Sequence, residues 1–114
     1  MPAKNDENVP FLRSEALERL GGDADFLTEL LALFDEEYAS KMEGLNAAVA
    51  GGDFKSVREL GHGLKGSSAN LSLPGIRKAA LAMENAGKAE DPAAAQKALH
   101  SLAEEYRKLK IFLR

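Results

Sequence analysis

The sequence predicts an all-α fold: an antiparallel up-down four-helix bundle with a short extra N-terminal helix. Two observations carry this. Apolar residues recur at spacings of three and four through most of the chain, and no window shows sustained apolar/polar alternation. Glycine pairs, aspartates and prolines then cut the chain into segments joined by short connections, and short connections place successive helices antiparallel.

The polar stretch MPAKNDENVP, residues 1–10, reads as a flexible tail, and residues 11–114 as the domain. Ser14 is a candidate cap for a short helix carrying Leu17 and Leu20, which Gly21-Gly22 ends. Asp23 suits the N-cap of a long helix with the stripe Leu27, Leu30, Leu31, Phe34, Tyr38, Met42 and Leu45, stopped by Gly51-Gly52. Asp53 can cap the next helix, with Phe54, Val57, Leu60, Leu64 and Leu71. Pro74 is placed to start a helix that buries Ile76, Ala79, Ala80 and Met83 and is expected to end near Gly87. Asp91-Pro92 opens the last helix, with Ala95, Leu99, Leu102, Tyr106 and Leu109 on its inner face.

Composition narrows the function classes. With 114 residues the chain is long enough for one domain with its own core. It has no cysteine, which excludes disulfides, thiolate zinc sites and cysteine nucleophiles. A formal charge of −3 argues against a dominant nucleic-acid surface. No apolar run reaches the roughly 18 residues of a membrane span, and the N-terminus has no apolar signal core. A soluble cytoplasmic domain without membrane insertion is expected, free-standing or part of a longer chain.

One stretch does not fit a simple core helix. In GHGLKGSS, residues 61–68, three glycines surround His62, each costing a helix about 1 kcal/mol relative to alanine. Helical projection at about 100° per residue puts Gly61, Leu64, Ser68 and Leu71 within roughly 40° of Val57, on the buried stripe. His62 falls roughly 140° away, with Lys55, Arg58, Lys65, Gly66 and Ala69 on the same outer side. Gly61 then allows close approach of a neighbouring helix, Gly66 opens room beside the ring, and Ala69 extends the cleared ground. Gly63 falls on a flank, without an evident role. Ser68 projects inward, toward a helix carbonyl or a small core site.

A neutral imidazole is a nucleophile near neutral pH. Phosphoryl transfer needs in-line approach and charge stabilisation more than covalent machinery. Lys65, three residues on, can reach the same oxygens as His62, and Arg58, four residues back, adds positive field. The outer patch therefore suits a site where another protein brings a phosphorylated group to the ring.

RELGHGLKGSSANL closely resembles the signature of histidine-containing phosphotransfer (HPt) domains, H-x-L-K-G-S followed by a leucine, matched by His62, Leu64, Lys65, Gly66, Ser67 and Leu71. ALERLGGDADFLTELLALF, AAVAGGDF and AMENAGK resemble flanking parts of the family, so the resemblance spans about residues 14–112. It departs in two places: Gly61 stands where alanine is usual, and Ser72-Leu73-Pro74 follows Leu71 where glycine is common.

The resemblance implies that His62 accepts a phosphoryl group from an aspartate of a response-regulator receiver domain and passes it to another receiver aspartate. It implies a hybrid sensor histidine kinase upstream and no cofactor of the chain's own, with Mg²⁺ supplied by the partner receiver. Lys65 would steady the phosphoryl group and Gly66 would permit close docking, with Arg58, Lys55 and Ala69 around it. The chain would be a monomeric carrier rather than an enzyme.

Two rivals remain: direct phosphorylation by a kinase ATP-binding domain, and a docking module that carries no phosphate. His62, Lys65 and Gly66 together favour an active acceptor. An independent enzyme fits poorly, since no nucleophile–base pair or phosphate-cradling loop stands out. His100 reads as a surface or boundary residue; with no paired i,i+4 ligands, a metal site with His62 is disfavoured. The acidic DEEY stretch, residues 35–38, reads as a solvated helix face rather than a ligand cluster.

Overall fold

Helices form where the apolar periodicity lies. The computed structural model describes residues 9–114, so residues 1–8 of the expected tail lie outside the described residues. The helices are α1 (Arg13–Arg19), α2 (Ala24–Gly51), α3 (Phe54–Asn70), α4 (Pro74–Ala89) and α5 (Pro92–Phe112). Among the described residues there is no strand, and no helix long and apolar enough to cross a membrane.

The predicted caps hold at three of the helix starts. Asp23, Asp53 and Asp91 accept hydrogen bonds from the backbone N–H groups of Phe26 (3.0 Å), Ser56 (3.2 Å) and Ala94 (3.1 Å). Pro74 and Pro92 open α4 and α5, where the missing N–H costs nothing. Gly52 ends α2 in the left-handed region, at φ +70°.

Two boundaries differ from expectation. Ser14 does not cap α1: Leu12 takes the N-cap position, without a side-chain bond. This end is anchored by tertiary contacts instead, with Phe11 buried and the Leu12 N–H donating to the Ser72 carbonyl at 2.9 Å. Helix α4 runs two residues past Gly87, to Ala89, and Glu90 rather than the glycine takes the left-handed turn. Gly87 is an internal packing position.

Each long helix packs on its neighbours in turn: α2 on α3, α3 on α4, α4 on α5, and α5 back on α2, with α1 resting on α2. The core between them holds Leu27, Leu45, Leu64, Ile76, Met83 and Leu102, all essentially without solvent exposure. Each such side chain contributes about 1.5–3 kcal/mol. The α4 stripe is buried as predicted, while Leu30, Leu31, Met42, Leu60 and Tyr106 pack half-buried at the edges.

Candidate functional site

The site is set by how closely α3 and α4 approach. A Cβ on Gly61 would stand 2.7 Å from the Glu84 nitrogen, and one on Gly87 2.5 Å from the Arg58 nitrogen. With neither Cβ present, the backbones meet at two points along the crossing. The expected role of Gly61 is thus met, and Gly87 repeats it from the other helix. Glu84 and Lys88, one turn apart on α4, come to lie beside Arg58 and His62, one turn apart on α3.

Glu84 is the residue that sequence reasoning missed. Its carboxylate is nearly buried, with 7% of the side chain exposed, while the His62 side chain is 68% exposed. His62 Nδ1 lies 3.0 Å from Glu84 Oε2. A carboxylate only accepts, so the neutral ring carries its proton on Nδ1 and leaves the lone pair on Nε2. Lys65 Nζ lies 2.8 Å from Glu84 Oε1 as an ion pair, and Lys88 Nζ lies 3.7 Å from Oε2. The Lys65 ammonium, with the His62 hydrogen bond adding to it, holds the Glu84 carboxyl below the usual carboxylate range against the opposing effect of burial. A near-buried carboxylate is tolerated because charged partners surround it. The signal was present in the sequence: Glu84 sits at helical spacing from Ala80 and Gly87, a charge on an otherwise apolar stripe.

The other predicted residues spread along α3. Arg58 is exposed and lines an open groove with Glu59, His62, Glu84 and Lys88. Lys55 is exposed one turn earlier, on an adjoining groove that also takes in Arg58 and Lys88. Gly66 faces open space, with nothing within 4 Å of where its Cβ would be. Ala69 is half-buried near the end of α3, and its carbonyl accepts from Arg19 at 2.9 Å. Ser68 points inward as projected and donates to the Leu64 carbonyl at 2.7 Å. Ser67 is committed to α2, donating to Glu37 at 2.6 Å. Gly63 also faces α2, where a Cβ would press on the Lys41 side chain at 2.8 Å.

The DEEY stretch is more than a solvated face. Asp35 accepts from the Tyr106 hydroxyl at 2.6 Å and from Lys110 at 2.8 Å, and Tyr38 is buried with its ring stacked 3.9 Å from that of Tyr106. Burial alone would raise the Asp35 pKa, but Lys110 and Tyr106 outweigh it and lower it. His100 is exposed on α5. Among the described residues, no group of three or more His, Cys, Asp or Glu side chains is placed to hold a metal ion.

The chain matches the Hpt domain over residues 29–110, a span that takes in most of α2, all of α3 and α4, and most of α5. No curated protein and no solved structure matches it. The matched span contains the paired His62 and Glu84, and it covers well over half of the sequence. The chain belongs to the Hpt domain family, phosphocarriers of histidine phosphotransfer in two-component signalling that work with receiver domains and kinases.

Proposed function

We propose that this protein is a phosphorelay carrier in which His62 Nε2 takes a phosphoryl group from the aspartyl phosphate of one receiver domain and delivers it to an aspartate of another. The observation that supports this best is the pairing of His62 with Glu84. It holds the ring by Nδ1 and leaves Nε2 as the free nucleophile on an exposed side chain. In the forward step the Nε2 lone pair attacks phosphorus in line, the P–O bond to the aspartyl group breaks, and the aspartate carboxylate leaves. The ring keeps its Nδ1 proton and becomes formally cationic, with the Glu84 carboxylate beside it as counter-charge. Delivery reverses these bonds: P–N breaks and the ring returns to neutral.

Glu84, the carboxylate that touches the ring, is taken by His62, Lys65 and Lys88, a donor set unsuited to a divalent cation. In this reading Mg²⁺ comes with the partner receiver, and the chain acts as a carrier without its own catalytic centre. The exposed line Lys55, Arg58 and Gly66, with Ala69 at its edge, is the docking face. Short connections between consecutive helices support an antiparallel up-down arrangement. A monomer in the cytoplasm, served by a hybrid sensor kinase and without nucleic-acid contact, completes the reading.

The test is transfer from a receiver pre-loaded with phosphate, read by intact mass, with His62→Gln beside the wild type. Base-stable, acid-labile label that vanishes in the variant is expected. Binding without label would overturn the acceptor reading in favour of a docking module. Labelling by ATP and a kinase domain alone would replace the receiver as donor.

A further inference from the structure

We infer that a phosphoryl group on His62 is held by Lys88 and Arg58, while Lys65 serves to fix Glu84; this rests on His62 being the acceptor. The cations around Glu84 are not equivalent. Lys65 Nζ sits 2.8 Å from Oε1 with 30% of its side chain exposed, whereas Lys88 Nζ stands 3.7 Å from Oε2 with 57% exposed. Glu84 Oε1 is buried and has no hydrogen-bond partner among the described residues; the Lys65 ammonium meets it only as an ion pair, so withdrawing Lys65 would strand a buried carboxylate oxygen. Withdrawing Lys88 strands nothing, because Oε2 keeps the His62 ring.

Arg58 is the second free cation. It is exposed and joins none of the ion pairs of the site among the described residues, yet it lines the same groove as His62 and Lys88. The Gly87 contact presses α4 onto Arg58 and so brings the two helices together at this corner. Glu59 also lines the groove and sets one negative charge against these two cations. When three phosphoryl oxygens arrive at Nε2, Lys88 can leave Glu84 for them and Arg58 can meet them from α3, with no buried group losing its partner. Lys65 then acts as a positioning residue, through Glu84, on the orientation of the ring.

The experiment labels the full chain with phosphoramidate, which needs no receiver. The P–N bond to ammonia breaks, the bond to His62 Nε2 forms, and ammonia leaves. Lys88→Gln and Arg58→Gln are each expected to slow labelling about two- to fivefold, the scale of one exposed ion pair. Each is also expected to raise the pH at which the phosphoryl group titrates in ³¹P NMR, because a nearby cation favours the dianion. Lys88→Arg restores both. Lys65→Gln leaves the ³¹P titration in place and shifts the His62 Nδ1 resonance of the unphosphorylated protein. Unchanged rate and titration in Lys88→Gln and Arg58→Gln, with a titration moved by Lys65→Gln, would overturn the assignment and make Lys65 the phosphate contact. Absence of label on the wild type would overturn the acceptor reading itself, and this assignment with it.

Discussion

Gly61 of α3 lies directly against the backbone of Glu84 of α4. A Cβ there would stand 2.7 Å from the Glu84 nitrogen and 3.2 Å from the Ala80 carbonyl oxygen, both main-chain atoms that cannot turn aside. Gly61→Ala is expected to destabilise the protein despite a helix-propensity gain of about 1 kcal/mol, because overpacking costs about 1–3 kcal/mol. It also pushes Glu84 away from the ring, so phosphoryl acceptance slows. Urea denaturation and a labelling time course check both. A raised midpoint with unchanged labelling would mean that α4 moves aside freely.

Gly66→Ala is the opposite case. Nothing within 4 Å meets the added methyl, so the substitution is expected to stabilise the fold by up to about 1 kcal/mol. Transfer from a phosphorylated receiver should slow while labelling by phosphoramidate stays the same. Equal receiver transfer in variant and wild type would remove close docking as the reason for this glycine.

Glu84→Gln is expected to slow phosphoryl acceptance about tenfold or more, the scale at which orienting partners of histidine act. It should also change the acid limb of stability. Chiefly through Lys65, the Glu84 pKa in the fold lies below its ordinary value of 4.5, so its stabilising contribution is present above that value and is lost as pH falls through the lowered one. Asp35 adds to the slope with the same sign. Urea midpoints measured from pH 6 down to 3 should fall less steeply in Glu84→Gln than in the wild type; parallel curves would deny Glu84 this role.

The stacked tyrosines predict an alkaline limb. Burial pushes the Tyr38 phenol up to about 12, and burial with the neighbouring Asp35 carboxylate raises Tyr106 as well. The neutral phenols belong to the fold, so their contribution is complete below pH 10 and is lost as pH climbs from 10 toward 12. Tyr106→Phe should cost about 0.5–1.5 kcal/mol at pH 7 through the lost bond to Asp35, and should flatten the loss of stability above pH 10. An unchanged alkaline limb would show that Tyr106 titrates alike in the folded and unfolded chain, against the effect of burial and Asp35.

Much of this was legible in the sequence because it is local. Asp23, Asp53 and Asp91 cap their own helices, and the inward turn of Ser68 follows from helical period alone. What was illegible depends on distant contact. The start of α1 rests on Phe11 burial and on Ser72, and no local cap marks it. Gly87 resembles a helix stop and is instead a contact with Arg58. The Glu84 pairing joins residues 22 apart on two helices, so the ring's partner could not be chosen until the crossing was known. The outer position of His62 could be read from the projection, but the loading of Lys65 by Glu84 could not.

Arg19 of α1 reaches the far end of α3 and donates to the carbonyls of Ala69 and Asn70 and to the Ser72 hydroxyl, each at 2.9 Å. Those carbonyls close the last turn of the helix that carries His62, and a guanidinium is the group best suited to them. Helix α1 and Phe11 nevertheless precede the stretch matched to the family, which begins at residue 29. A piece trimmed to the matched stretch would lose the Arg19 bonds at the end of the histidine helix and take Phe11 and Leu27 out of the core. The smallest unit that keeps these contacts must start no later than Phe11.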